Sequence, residues 1–125
     1  MGLYPCAYST TWSVIGDKLN VILNQRSQDM LTAGNWNVVQ YAVLLMMLAQ
    51  VNNLKPGELV HVISDCHIYD RHVDIVKDLI NRPMHKAPTV TLNPNIKNFY
   101  SFTPDDVIMN DYTFNPFYDE IEVAI

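Results

Sequence analysis

The sequence predicts an α+β fold, in which a sheet packs against one buried central helix. Two observations support this prediction. Apolar and polar residues alternate in two runs on either side of Gly16-Asp17, which is the period expected of a β-hairpin. Residues 35–51 are apolar on almost every side, which is typical of a helix enclosed by other structure.

The hairpin prediction also gives a register. Glycine accepts the positive φ of a two-residue turn, so the turn is placed at Gly16-Asp17. The expected pairs are Trp12 with Val21, Val14 with Leu19, and Cys6 with Ser27. In this register Arg26 lies on the opposite face from Cys6, unless a bulge or the strand end brings it round.

Four further elements are expected after the helix. A short apolar run predicts a buried strand, and an apolar stripe at helical spacing predicts a second helix that Arg82-Pro83 ends. The expected elements are a strand at 59–63, a helix at 67–80, and strands at 89–92 and 106–112.

Composition narrows the class of protein. The 125 residues have the size of a single domain, 1–125, and 49% apolar with 17% charged residues excludes intrinsic disorder. The net charge of −5 disfavours binding to a nucleic-acid polymer. No apolar run approaches the roughly 20 residues of a membrane-spanning helix. Two cysteines far apart in sequence indicate free thiols and a cytoplasmic location.

Several residues could carry chemistry, each with a plainer alternative. Cys6 is either a small buried hydrophobe or a nucleophile activated by Arg26 and Ser27. The segment Gln25-Arg26-Ser27-x-Asp29 is either a strand-end loop with an ion pair between Arg26 and Asp29, or a phosphate site.

Two later positions have similar alternatives. Asn37 either caps the helix or reads the edge of a base with its amide. The segment Asp65-Cys66-His67-x-Tyr69 is interpreted either as a helix start capped by Asp65 or as part of a metal site. No metal site is predicted, because the spacing of the nearby candidates matches no zinc pattern. Those candidates are His61, Cys66, His67 and His72.

In order and spacing, these motifs closely resemble thymidylate synthase. The matching segments are Pro5-Cys6, Gln25-Arg26-Ser27-x-Asp29, Asn37 followed by Tyr41-Ala42, Leu54-Lys55-Pro56-Gly57, Asp65-x-His67-x-Tyr69 and the terminal Val-Ala-Ile. The resemblance covers residues 4–125 and implies the mixed sheet of a thymidylate synthase or dCMP hydroxymethylase-type fold.

The resemblance implies a reaction and a role for each residue. Such enzymes convert dUMP to dTMP with 5,10-methylenetetrahydrofolate, which donates the one-carbon unit and the hydride. By resemblance, Cys6 adds to C6 of uracil. The other implied roles are phosphate binding by Arg26 and Ser27, uracil recognition by Asn37, deoxyribose binding by His67 and Tyr69, folate contact by Asp29, closure over folate by the tail ending in Ile125, and orientation by Gln25 and Asp65.

The sequence also departs from the family. Ala7 replaces a histidine, and Gln40 replaces a serine close to the pyrimidine. Family members are more than twice as long and carry further phosphate and folate residues in an N-terminal half. We therefore expect this chain to be inactive alone and to form a homodimer through its sheet. A companion that supplies the missing N-terminal half in trans is one option. The alternatives are a non-catalytic module that binds a nucleotide or partner, or one half of a split enzyme.

Overall fold

The computed structural model describes residues 4–116 and 120–122. Its strands and helices are, in chain order, β1 Ala7–Ile15, β2 Lys18–Asp29, α1 Trp36–Val51, β3 Lys55–His67, α2 Val73–Asn81, β4 Thr89–Leu92 and β5 Val107–Asn110. One sheet has the order β1-β2-β3, with β2 antiparallel to β1 and parallel to β3. A second sheet pairs β4 with β5. The expected α+β class with a mixed sheet is confirmed.

The hairpin of β1 and β2 follows the predicted register over most of its length. Trp12 lies opposite Val21, and Val14 lies opposite Leu19. Gly16 has a φ of 62°, the left-handed conformation that led the turn to be placed there. The alternating pattern and the glycine together were sufficient to fix this pairing.

A bulge changes the register at the start of β1. Between Ala7 and Ser9 the pairing shifts by one residue, as β-bulges do. The predicted pairing of Cys6 with Ser27 is therefore wrong. Cys6 lies against Arg26 instead, and the Arg26 amide donates to the Cys6 carbonyl at 2.7 Å. The bulge thus brings a thiol and a guanidinium to the same place.

β3 is longer than the strand predicted at 59–63, because its backbone continues to pair with β2 on both sides of that run. α1 forms the crossover that a parallel pair requires. The parallel register places Ser27 beside Asp65 and Asp29 beside His67. The ends of β2 and β3 therefore bring their polar residues to one edge of the sheet.

The segment after β3 corrects the helix predicted at 67–80. His67 is still the last residue of β3, since it pairs with the end of β2. A single 3₁₀ turn at Asp70–His72 follows, and α2 begins only at Val73. Arg82 is extended before Pro83, as predicted.

The second sheet confirms one prediction and shortens another. β4 has the predicted bounds, whereas β5 is shorter than the strand predicted at 106–112. The Gln50 side chain joins this region to α1, because its Nε2 group donates to the carbonyls of Asn93 and Ile96, both at 2.9 Å.

α1 packs against the sheet but is less buried than its apolar sequence predicts. Leu45 and Ala49 form the core with Leu19 and Val21 of β2. Within the described ranges, they are the fully buried residues of α1, and Trp36 is 73% exposed. The reason is that the sheet covers one side of the helix only. None of the described helices is both long enough and apolar enough to cross a membrane.

Candidate active site

A cleft of about 380 Å³ lies where β1 begins and where β2 and β3 end. The predicted site residues that line it are Cys6, Gln25, Arg26, Ser27, Asp29, Asn37, His67 and Tyr69. Asp65 lines an adjoining cavity of about 450 Å³, which shares Ser27, His67 and Tyr69 with the cleft. Ile125, predicted to close over the folate, lies outside the described residues.

Cys6 and Arg26 are in contact in this cleft. The Arg26 Nη2 group donates to the Cys6 sulfur at 3.7 Å and to the Tyr4 carbonyl at 3.5 Å. Cys6 is half-buried and is not bonded to another cysteine. The sulfur thus lies in an open cleft beside a cationic side chain and outside the apolar core. The arrangement fits a reactive cysteine better than a small core residue.

One carboxylate oxygen of Asp65 lies close to two neighbouring side chains and is hydrogen-bonded to one of them. The Ser27 hydroxyl donates to Asp65 Oδ2 at 3.2 Å. His67 Nδ1 lies 3.4 Å from the same oxygen, at ion-pair distance. Because these residues come from the paired ends of β2 and β3, the parallel register creates this group.

The rings of His67 and Tyr69 form one wall of the cleft. They meet edge to face with centroids 5.1 Å apart, which is a favourable aromatic geometry. The Tyr69 ring then meets His72 with the centroids 5.9 Å apart. In the described part of the chain, no three His, Cys, Asp or Glu side chains are grouped so that they could hold a metal ion.

The Asp29 carboxylate accepts hydrogen bonds from the turn that follows it. Its Oδ1 accepts from the amides of Leu31 at 3.0 Å and Thr32 at 3.3 Å, and its Oδ2 accepts from the Thr32 hydroxyl at 2.5 Å. Burial alone would raise the pKa of Asp29, but these hydrogen bonds and the nearby His72 hold that pKa below its ordinary value. The carboxylate is therefore ionised at neutral pH and presents acceptors only.

Asn37 is not the cap of α1, so that interpretation is wrong. The N-cap position is Asn35, whose side chain makes no capping hydrogen bond. Asn37 lies in the first turn, and its Nδ2 group donates to Gln40 Oε1 at 3.5 Å. The two residues lie about one helical turn apart, so the Gln40 side chain contacts the Asn37 amide that lines the cleft.

Three buried or partly buried polar residues received no role in the site from the sequence, in which His61 and His72 were considered only as metal ligands and then set aside. Gln28 is 2% exposed, and His72 is 1% exposed with its Nε2 bonded to the Glu122 carbonyl at 2.9 Å. His61 is partly buried and contacts Gln25. The available signal was weak: His61 alternates with apolar residues in β3, where a strand face turns inward.

Comparisons with known proteins agree with this geometry. A sequence model of the family described as thymidylate synthase matches residues 1–125. A thymidylate synthase of Clostridium beijerinckii is 48% identical over 112 residues, which cover 88% of this chain and 43% of that protein. One of Bacillus phage phi3T is 43% identical over 112 residues, covering 90% of this chain and 40% of the relative.

A solved structure gives the same result. The thermostable thymidylate synthase A of Bacillus subtilis matches with a TM-score of 0.94 and 41% identity, over 100% of this chain and 45% of that one. This chain therefore spans less than half the length of the relatives it matches. Since the sequence match and the fold match both extend over the whole chain, it belongs to the thymidylate synthase family.

Proposed function

We propose that this chain carries the nucleophile and part of the substrate sites of a cytoplasmic enzyme that converts dUMP to dTMP. The observation that carries the proposal is the cleft that Cys6 and Arg26 share with Asn37, in which sulfur and guanidinium lie 3.7 Å apart. The two unpaired thiols, Cys6 and Cys66, support a reducing compartment.

Cys6 acts as the nucleophile in this proposal. Its thiolate forms a bond to C6 of uracil, the C5=C6 double bond opens, and the electron pair moves to C5 and the C4 oxygen. The Asn37 amide stabilises the charge on that oxygen by donating to it. 5,10-Methylenetetrahydrofolate, as co-substrate, supplies the one-carbon unit and the hydride. C5 forms a bond to that one-carbon unit, and loss of the C5 proton then releases the folate nitrogen from it. Hydride addition to the resulting exocyclic methylene carbon expels the Cys6 thiolate from C6, which gives dTMP and dihydrofolate.

The residues along β2 and β3 bind the nucleotide. Arg26 presents a planar fork that matches phosphate oxygens, and the Ser27 hydroxyl donates beside it. Ser27 donates to Asp65 at 3.2 Å, a long bond that a phosphate oxygen can replace. His67 and Tyr69 offer ring nitrogens and a hydroxyl to the sugar. Gln25 and Asp65 orient Ser27, since Gln25 donates to the Ser27 carbonyl and Asp65 accepts from the Ser27 hydroxyl.

Asp29 fits a contact with the folate ring. Its carboxylate lines the cleft and is kept ionised by its own turn, so it accepts from N–H donors but cannot donate. A pterin ring carries such donors. The contribution of Asp29 is therefore to orient the co-substrate.

We infer that the chain needs a companion for turnover. Among the described residues, Arg26 is the single arginine that lines the cleft. A phosphate monoester carries about −1.5 to −2 charges at pH 7, which one guanidinium does not balance. The relatives are more than twice as long, which supports a second source of cations. We propose that an N-terminal half in trans supplies them.

Trapping of the covalent complex tests both proposals. The chain is incubated with 5-fluoro-dUMP and methylenetetrahydrofolate, with and without the N-terminal half of the Bacillus subtilis relative, and its intact mass is measured. We expect an adduct only with the companion, lost in Cys6→Ser and kept in Cys66→Ser. An adduct without the companion would show that none is needed. No adduct in either case would favour a non-catalytic nucleotide- or partner-binding module.

We also propose that the exposed face of the β1-β2-β3 sheet forms a homodimer. This face carries the half-exposed side chains of Ile22, Val60 and Val62 and a groove of about 330 Å³. Sedimentation velocity tests the proposal. Ile22→Lys should convert a dimer to a monomer, whereas Ile80→Lys on α2 should not. A monomeric wild type at micromolar concentration would refute it.

A further inference from the structure

A series of hydrogen-bonded amide groups borders the cleft. Gln25 and Gln28 of β2 contribute to its lining but are only 1% and 2% exposed. Burying an amide is costly unless its donors and acceptor find partners. Here they do, and the hydrogen bonds connect His61 on β3 to Ala33 in the segment before α1.

The direction of each hydrogen bond in this series of side chains follows from the Ala33 carbonyl at one end. The Ala33 carbonyl can only accept, so the Gln28 Nε2 group donates to it at 2.7 Å. The Gln28 oxygen then accepts from the Gln25 Nε2 group, which also donates to the Ser27 carbonyl at 2.9 Å. The Gln25 oxygen remains as the acceptor for His61 Nε2, 2.9 Å away.

His61 must therefore carry a hydrogen on Nε2. Burial lowers the pKa of His61 below its ordinary value, so the ring is neutral at neutral pH. A neutral imidazole has one N–H, and the hydrogen-bond partner decides which nitrogen holds it. The buried amides accordingly specify the Nε2–H tautomer.

At the Ala33 end, the hydrogen-bonded amide side chains fix the segment that leads into α1. Asp29 fixes the first part of the connecting segment through Leu31 and Thr32. Gln28 fixes the second part at the Ala33 carbonyl, which also accepts from the Trp36 amide at 3.1 Å. The first turn of α1 thus begins from a carbonyl that is held by a buried side chain.

We propose that His61 is a positioning residue of the cleft. It holds the amides of Gln25 and Gln28 in one orientation, and they hold Ala33 and the first turn of α1, from which Asn37 reaches the cleft. His61 is not itself among the residues that line the cleft. This inference rests on the proposed function in one respect, which is the contact of Asn37 with the uracil ring.

The first test is the tautomer in the wild-type chain. A long-range ¹H–¹⁵N NMR correlation identifies the ring nitrogen that carries the hydrogen. We expect the hydrogen on Nε2 of His61. A hydrogen on Nδ1 would overturn the proposal, because Gln25 would then have no donor from β3. This measurement needs no variant and no nucleotide.

The second test compares His61→Gln, which keeps a donor near the position of Nε2, with His61→Leu, which removes it. Amide hydrogen exchange at residues 33–37 should become about tenfold faster in His61→Leu and stay within about threefold of wild type in His61→Gln. His85→Leu is the matched control, since His85 is an exposed histidine bonded to Asn115.

Equal acceleration in both His61 variants would show a packing role only and would overturn the proposal, as would unchanged exchange in a folded His61→Leu. If His61→Leu does not fold, the tautomer of the wild type and the exchange of His61→Gln decide the question. Neither readout depends on dUMP, so a failure of the proposed function is seen separately, in the trapping experiment.

Discussion

β2 and α1 pack against each other, yet the more apolar of the two is the less buried. α1 contains no charged residue, but Val39 is 51% exposed. β2 contains Lys, Arg and Asp, but Leu23 is 0% and Gln25 is 1% exposed. The difference comes from position: β2 has a strand on each side and a helix above it, whereas α1 has the sheet on one side. Burial in this chain is decided by neighbours rather than by residue type.

The largest expected effect is in the centre of β2. Leu23→Ala should reduce the free energy of unfolding by about 2–5 kcal/mol, because the cavity left in a fully enclosed site cannot collapse. Val39→Ala on α1 should change it by no more than about 0.5 kcal/mol. Urea unfolding followed by circular dichroism measures both. Equal losses would mean that the two elements are equally enclosed.

A polar residue of β2 should matter almost as much as Leu23. Gln25→Leu keeps the approximate volume but leaves the His61 donor and the Gln28 acceptor unpaired, at a cost of roughly 2–4 kcal/mol. Asn24→Leu is the matched control, because Asn24 lies on the other face and donates to Ser9 in an exposed bond. If both variants lose the same stability, the buried amides do not contribute specifically.

Low pH should destabilise the sheet that packs against α1, because His61 and Asp29 both lie on its strands. Burial lowers the pKa of His61, so the unfolded chain binds a proton more readily and stability falls as the pH drops below the ordinary histidine value. The lowered pKa of Asp29 adds a second loss at more acidic pH. The urea concentration at the midpoint of unfolding should decrease as the pH is lowered from about 7.5 to 5.5, and it should decrease less in His61→Gln. An equal fall in that variant would assign the effect elsewhere.

The extent to which sequence predicted this molecule differs between the same two regions. Local patterns were sufficient for the hairpin, for β4 and for the start of α1, because alternation, a turn glycine and a continuous apolar run are each visible within a few residues. The sequence allowed a bulge near Cys6 but could not place the one that moves Cys6 from Ser27 to Arg26, since it depends on how β1 pairs with β2.

The site was predicted unevenly for a related reason. Resemblance to a family assigned roles to residues along the chain, and eight of them line the cleft. It implied an orienting role for Gln25 and Asp65 but no role for Gln28, His61 or His72. The roles of Gln28, His61 and His72 depend on tertiary contacts, because a buried glutamine or histidine has the same sequence signature as an exposed one. Burial of a polar side chain becomes visible only when its partners are in place.

The smallest effect in the isolated chain is expected at the exposed side of α1. Val39→Asp should change the free energy of unfolding by no more than about 0.5 kcal/mol, because the side chain is half in water and a carboxylate near a helix N-terminus is favourable. Its effect should appear when the proposed N-terminal half is added. If that half covers α1, the carboxylate is placed in an apolar contact, and the affinity of the two halves should fall by tenfold or more, about 1.4 kcal/mol. Isothermal titration calorimetry measures this, with Ile80→Asp on α2 as the control. Unchanged affinity in Val39→Asp would show that the exposed side of α1 is not the surface that the companion covers. In that case, α1 would remain exposed to water when the two halves are bound.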